Sequence, residues 1–238
     1  MKYKIVIFLV AVCLLAACVG QKNRIIFRPD PEQEEQEPIN FLDHWQIIET
    51  ENGQGETDIP EWIRGYFDGG IRGIEYMDRY SGKYIFVGEN RGENITALQH
   101  WLNGFTVLHD LPRLVAARVE RRLVASASLY PDDEYGQYFE NLMKKVADGE
   151  YPGAVIERTF WVKLQRIPDS GDDDDELPQG AIDAATEIYV FFVSMSIDRE
   201  VLQGQLRQIM ADITTTVPPR RDQAAAIGKI QQTFFEGF

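Results

Sequence analysis

The chain has 238 residues, 44% of them hydrophobic and 11% aromatic, and a formal net charge of −14 at pH 7. Those proportions suffice for a real core and suit one domain with extensions, or two small domains. So acidic a chain is repelled by nucleic acid and by anionic lipid headgroups, which excludes nucleic acid as a partner and favours cationic partners or plain solubility.

Lys2 and Lys4 open the chain, Ile5 to Leu15 is a nearly unbroken apolar run, and Leu15-Ala16-Ala17-Cys18 follows. This is the layout of a bacterial export signal, with a cysteine where the mature chain would begin. The apolar run falls short of the roughly 20 residues that span a bilayer. An ordinary secretory signal also carries small residues before its cut, and the cysteine decides for a lipoprotein signal. The tetrapeptide resembles the lipobox of bacterial lipoproteins. That resemblance implies cleavage after residue 17 and acylation of Cys18 on its thiol and its new amino group. Several acyl chains anchor far more firmly than one, since each buried methylene contributes about 0.8 kcal/mol. The expected place is therefore the bacterial envelope, lipid-anchored to the outer membrane.

The two cysteines are Cys13 and Cys18. The first leaves with the signal and the second carries lipid, so no thiol remains for a disulfide, a zinc site or a nucleophile. His44, His100 and His109 lack metal-ligand spacing, and no metal or cofactor is expected.

Residues 18–57 read as a tether. The stretch from Arg28 to Pro38 is acidic, polar and punctuated by proline, and forms no core. The apolar patch Phe41 to Ile48 interrupts it and could dock as a short helix or strand. Residues 58–215 are expected to form an α+β domain, and 216–238 a C-terminal helix. Gly65, Gly69, Gly70 and Gly73 argue for an irregular surface stretch. Lys83 to Gly88 is aromatic and β-branched, and predicts the first strand.

Ile95, Leu98, Leu102 and Phe105 recur at helical spacing, as do Leu108, Leu111, Val115, Val119, Leu123 and Ser126. Asp110-Leu111-Pro112 marks the start of the second of these helices. A third carries Tyr138, Phe139, Leu142, Met143 and Val146 on its apolar face. Ala154 to Ile167 predicts a long strand and Asp169 to Gly180 an acidic loop. Glu187 to Ile197 predicts a central strand, apolar on both faces. Asp198 caps a helix carrying Leu202, Leu206, Ile209 and Ile213, which Pro218-Pro219 ends. The economical arrangement is a small antiparallel sheet of about three strands with helices on one face.

Candidate chemistry is sparse. Asp172 to Glu176 could hold calcium, but it lacks the spacing of a calcium loop and reads as a solvated loop. Glu157, Glu187 and Asp198 could pair for acid–base work, although nothing fixes their separation. Ser126 and Ser128 lack a nucleophile-elbow setting. Gly88-Glu89-Asn90-Arg91-Gly92 is the nearest thing to an anion-binding turn. Arg118, Arg121 and Arg122 read as partners for the acidic surplus. Trp62 and Trp101 could line a pocket or the core. Trp161 alternates with Glu157, Thr159, Lys163 and Gln165 on an otherwise polar strand face, which makes it the candidate anchor for a partner.

A lipobox, a tether, Pro60-x-Trp62, a strand ending Val87-Gly88, Ala116-Ala117-Arg118 on a helix, a Trp-bearing strand and Tyr189-Val190-Phe191-Phe192-Val193 before a helix resemble the twenty-kilodalton surface lipoprotein family. The resemblance spans roughly residues 60–213 and includes flagellum-associated outer-membrane lipoproteins. It departs in a helix poorer in alanine and in a long gap between Val87 and Ala116. It implies membership of an envelope or flagellar-base assembly, binding to other envelope proteins and no catalytic activity. An alternative expectation is a carrier or sensor of a small apolar ligand held between sheet and helices. A hydrolase ranks below both.

Overall fold

The computed structural model describes residues 45–55, 58–127, 136–167, 186–216 and 218–238. The signal, Cys18, the acidic stretch Arg28 to Pro38, Ser128 and the aspartate run Asp172 to Asp175 lie outside the described residues.

The chain is α+β. Strands β1 (Trp45–Thr50), β3 (Lys83–Gly92), β4 (Val155–Arg166) and β5 (Glu187–Asp198) are joined by the two-residue β2 (Gly53–Gln54). The sheet is antiparallel throughout, in the order β2-β1-β4-β5-β3. The helices are α1 (Glu61–Glu75), α2 (Ile95–Gly104), α3 (Val107–Ala127), α4 (Gly136–Ala147), α5 (Arg199–Thr216) and α6 (Arg221–Gly237).

β5 is apolar on both faces because both faces are covered. Val193, Met195 and Ile197 join Tyr84 and Phe86 beneath α3 to α6, against Leu111, Val115, Leu142, Leu206 and Phe234. Val190 and Phe192 join Ile85, Val162 and Leu164 on the other side, against Trp62, Ile63 and Phe67 of α1. The expectation of helices on one face is thereby corrected. An apolar strand flanked on two sides must be covered on two sides to remove its surface from water.

The folded unit also begins earlier than residue 58. β1 pairs with β4 from Trp45↔Arg166 to Thr50↔Val162, and Ile47 is buried in the α1-side core. Trp45 to Thr50 therefore belong to the domain rather than to a tether ending at 57. The α6 helix likewise buries Ile227, Ile230 and Phe234 in the main core, so residues 218–238 are one unit with the rest.

Three further expectations shift. The glycine-rich stretch is helical on either side of a break at Gly69 and Gly70, where Gly70 takes φ 59°, a region side chains resist. The Gly88–Gly92 stretch is not a turn but the second half of β3, paired with β5 as far as Gly92↔Tyr189. A Cβ at Gly88 would lie 2.5 Å from Phe105 Cε2, so the glycine makes room for that ring. Finally, α3 starts at Val107, where the Thr106 hydroxyl accepts the His109 N–H at 3.3 Å and Asp110 accepts the Thr106 N–H at 2.7 Å. Leu108 is left exposed, and Pro112 sits inside the helix.

β3 is an edge strand, and an ion pair caps part of its outer edge. Glu75 Oε1 accepts the Ile85 N–H at 3.0 Å, and Arg118 Nη1 donates to Ile85 O at 3.4 Å. Arg118 Nη1 and Nη2 also reach the Glu75 carboxylate at 2.7 and 3.3 Å. Occupied edge groups are unavailable to a stray strand.

Candidate interaction site

Trp161 stands opposite Phe191 on the side of the sheet that α3 to α6 cover. Its ring stacks on Phe191 at 6.1 Å and 16°, and meets Tyr189 edge-on at 5.8 Å. Phe191 is fully buried, whereas Trp161 and Tyr189 are half-buried. The reason is lateral position. The core beneath α3 to α6 takes its strand residues from β3 and β5 and none from β4 or β1. On the β4–β1 half of that face, Thr159, Gln165 and Gln46 are exposed. Trp161 sits at the border, with one side on a covered strand and the other open among the described residues.

Lys163 lies beside it. Its Nζ is 2.6 Å from Glu187 Oε2 and 5.5 Å from the Tyr189 ring centroid. The hydrogen bond to Glu187 raises the Lys163 pKa above its ordinary value, so the ammonium stays charged. The arrangement is an amphipathic aromatic step flanked by a fixed charge pair. Such a surface binds by burying the exposed part of an indole, with polar groups at its rim.

The expected company of Trp161 is corrected at one position. A β-bulge between Ile156 and Arg158 breaks the alternation. Glu157 is the extra residue, and its carboxylate goes to the Ser196 hydroxyl and, at 2.8 Å, to Lys83 Nζ. Those hydrogen bonds hold its pKa below the ordinary glutamate range. Ile156, which an uninterrupted alternation would put on the same face as the buried Phe160, is 43% exposed for the same reason.

The three carboxylates weighed for acid–base chemistry do not converge. Glu187 and Asp198 occupy opposite ends of β5, and Asp198 accepts the Glu200 N–H at 3.3 Å. Ser126 is buried and donates to Arg122 O within its own helix. Of the arginine trio, Arg118 pairs with Glu75, as expected of the acidic surplus. Arg122 instead donates to the Thr233 and Phe234 carbonyls near the end of α6, and Arg121 to Ala117 O. Trp62 is core, at 1% exposure, and Trp101 is half-buried against the edge of Phe105.

Sequence reasoning missed the support beneath Trp161. The alternation of Tyr189 and Phe191 read as core face, and nothing in it marked where helical cover stops. The chain matches no protein-family model, no curated protein and no solved structure.

Proposed function

We propose that this protein is a lipid-anchored lipoprotein of the bacterial envelope, held by acylated Cys18, whose domain binds other envelope proteins without catalysis. The anchor rests on Leu15-Ala16-Ala17-Cys18 behind a basic start and a short apolar run. No described helix is long and apolar enough to cross a membrane, which is compatible with such an anchor. The twenty-kilodalton surface lipoprotein resemblance supports the same reading. The observation that carries the binding role is the half-exposed Trp161 on the uncovered half of a helix-packed sheet face. Cys18→Ser is the test of the anchor. The variant should accumulate as a longer, unacylated precursor in its native host. Mature size and continued extraction with membrane lipid would overturn the reading.

A further inference from the structure

β4 loses one of its two neighbours partway along its length. β1 pairs with it only from Arg166 back to Val162, and the Glu51 N–H then donates to Trp161 O at 3.2 Å as β1 ends. From Val155 to Phe160, β4 pairs with β5 alone, and no described strand lies on its other edge. Trp161 directs its carbonyl toward β1, so Thr159, two residues before it, directs its peptide groups the same way, past the end of β1. Side chains along this open stretch are apolar and accessible. Val155 is 49% exposed, Ile156 is 43% exposed and Thr159 is exposed. Ile156 stands opposite Met195, Thr159 opposite Val193 and Trp161 opposite Phe191, alternate positions of β5. Ile156, Thr159 and Trp161 therefore share one side of the sheet, along the open edge. The far edge of the sheet differs, since Glu75 and Arg118 occupy the Ile85 N–H and carbonyl of β3. An open edge is a template for another strand, and the bulge at Ile156–Arg158 twists this one so that a short segment suits it better than a long one.

We propose that the β4 edge from Val155 to Phe160 receives an extended, basic segment of another envelope protein, which continues the line of β1 as an added strand. This rests on the binding role of the Trp161 face, and gives that face a mode of binding and a partner chemistry. In strand addition the main-chain hydrogen bonds supply affinity, and side chains at alternate positions supply selectivity. Alternate side chains of the segment fall beside Ile156, Thr159 and Trp161, where apolar groups gain contact. Charge selects a basic segment. Glu49 stands opposite Lys163, Glu187 lies 2.6 Å from Lys163, and Glu51 is exposed where β1 ends, which sets three carboxylates against one ammonium. A lysine or arginine at the end of the segment meets Glu51 and the open side of the Trp161 indole, which attracts cations. Arg158 stands opposite Ser194, on the α1 side of the sheet and away from this face. A second copy of the chain suits the edge less, because two molecules that each carry a net charge of −14 repel one another.

The test is amide hydrogen exchange of the purified full-length protein with the synthetic peptide acetyl-Lys-Val-Lys-Val-Lys-Val-amide. The peptide should slow exchange several-fold in the Val155–Phe160 stretch, while the same peptide with glutamate in place of lysine should not. Thr159→Pro removes the N–H that faces the edge and should abolish the protection. Glu51→Lys leaves the strand intact and should weaken it several-fold, which keeps the test decisive if the proline variant fails to fold. Protection of this stretch by the lysine peptide, lost in either variant, supports the proposal. No protection, protection elsewhere, or equal protection by the glutamate peptide overturns it. Protection without peptide that rises with protein concentration assigns the edge to a second copy and overturns it as well. Recovery of envelope proteins in cells that depends on Trp161 but survives both variants would sink the edge and leave the binding role standing. Recovery that depends on none of these residues would sink both.

Discussion

Gly73 packs directly on the carbonyl of Gly65. A Cβ built on Gly73 would overlap Gly65 O, and one on Gly65 would lie 3.0 Å from Gly73 O. The break at Gly69 and Gly70 folds the second part of α1 back so that the two glycines meet backbone to backbone. This contact brings Ile63, Phe67 and Ile74 into one core.

Gly73→Ala should therefore destabilise the domain by about 1–3 kcal/mol, because the atom met is backbone and cannot swing aside. Gly69→Ala, with nothing near the added carbon and a negative φ of −146°, should change stability far less. Urea melts of the two variants compare them directly, and equal losses would refute the close-contact account.

Arg118→Ala should cost roughly 3–5 kcal/mol, since it leaves the 10%-exposed Glu75 carboxylate without its partner. The loss also removes the cation held 4.5 Å from the Tyr84 ring and frees the Ile85 carbonyl on the edge of β3. Chemical denaturation measures the first effect. Light scattering at high concentration should report greater association, as expected of an uncapped edge.

Glu157 contributes pH-dependent stability of a definite sign. Its pKa is lowered in the folded state by the Lys83 and Ser196 hydrogen bonds. The contribution is present above the unfolded value of about 4.3 and is lost as pH falls through the lower folded value. Glu157→Gln should therefore be less stable than wild type at neutral pH, and the gap should close below about pH 4. A gap that persists unchanged into acid would show that the carboxylate charge is not the source.

Trp161 and Phe191 should separate in stability. Phe191→Ala removes a buried ring and should cost about 3–5 kcal/mol. Trp161→Ala removes a half-exposed one and should cost about 1–3 kcal/mol. Crosslinking in intact cells should then recover fewer envelope partners with Trp161→Ala than with wild type at matched folded protein. A loss of stability equal to that of Phe191→Ala, with unchanged recovery, would remove Trp161 from the binding role.

Most elements were legible in the chain because each carries its own period. The Leu111, Val115, Val119 and Leu123 stripe and the two-sided apolar run of β5 need only local geometry to be read. The lipid anchor we propose likewise rests on the linear stretch Leu15-Ala16-Ala17-Cys18 and on no feature of the fold. Tertiary structure decided what no window of sequence contains. It paired Trp45 to Thr50 with β4 across more than a hundred residues, and so turned an apolar patch in a tether into a strand. It made a glycine run helical by setting Gly65 against Gly73. It moved Glu157 away from Trp161 through one extra residue in β4, because a side-chain period of two reverses with a single insertion. It also placed the border of helical cover beside Trp161. Burial is a property of neighbours distant in the chain, and the sequence of a strand states only which residues share a face.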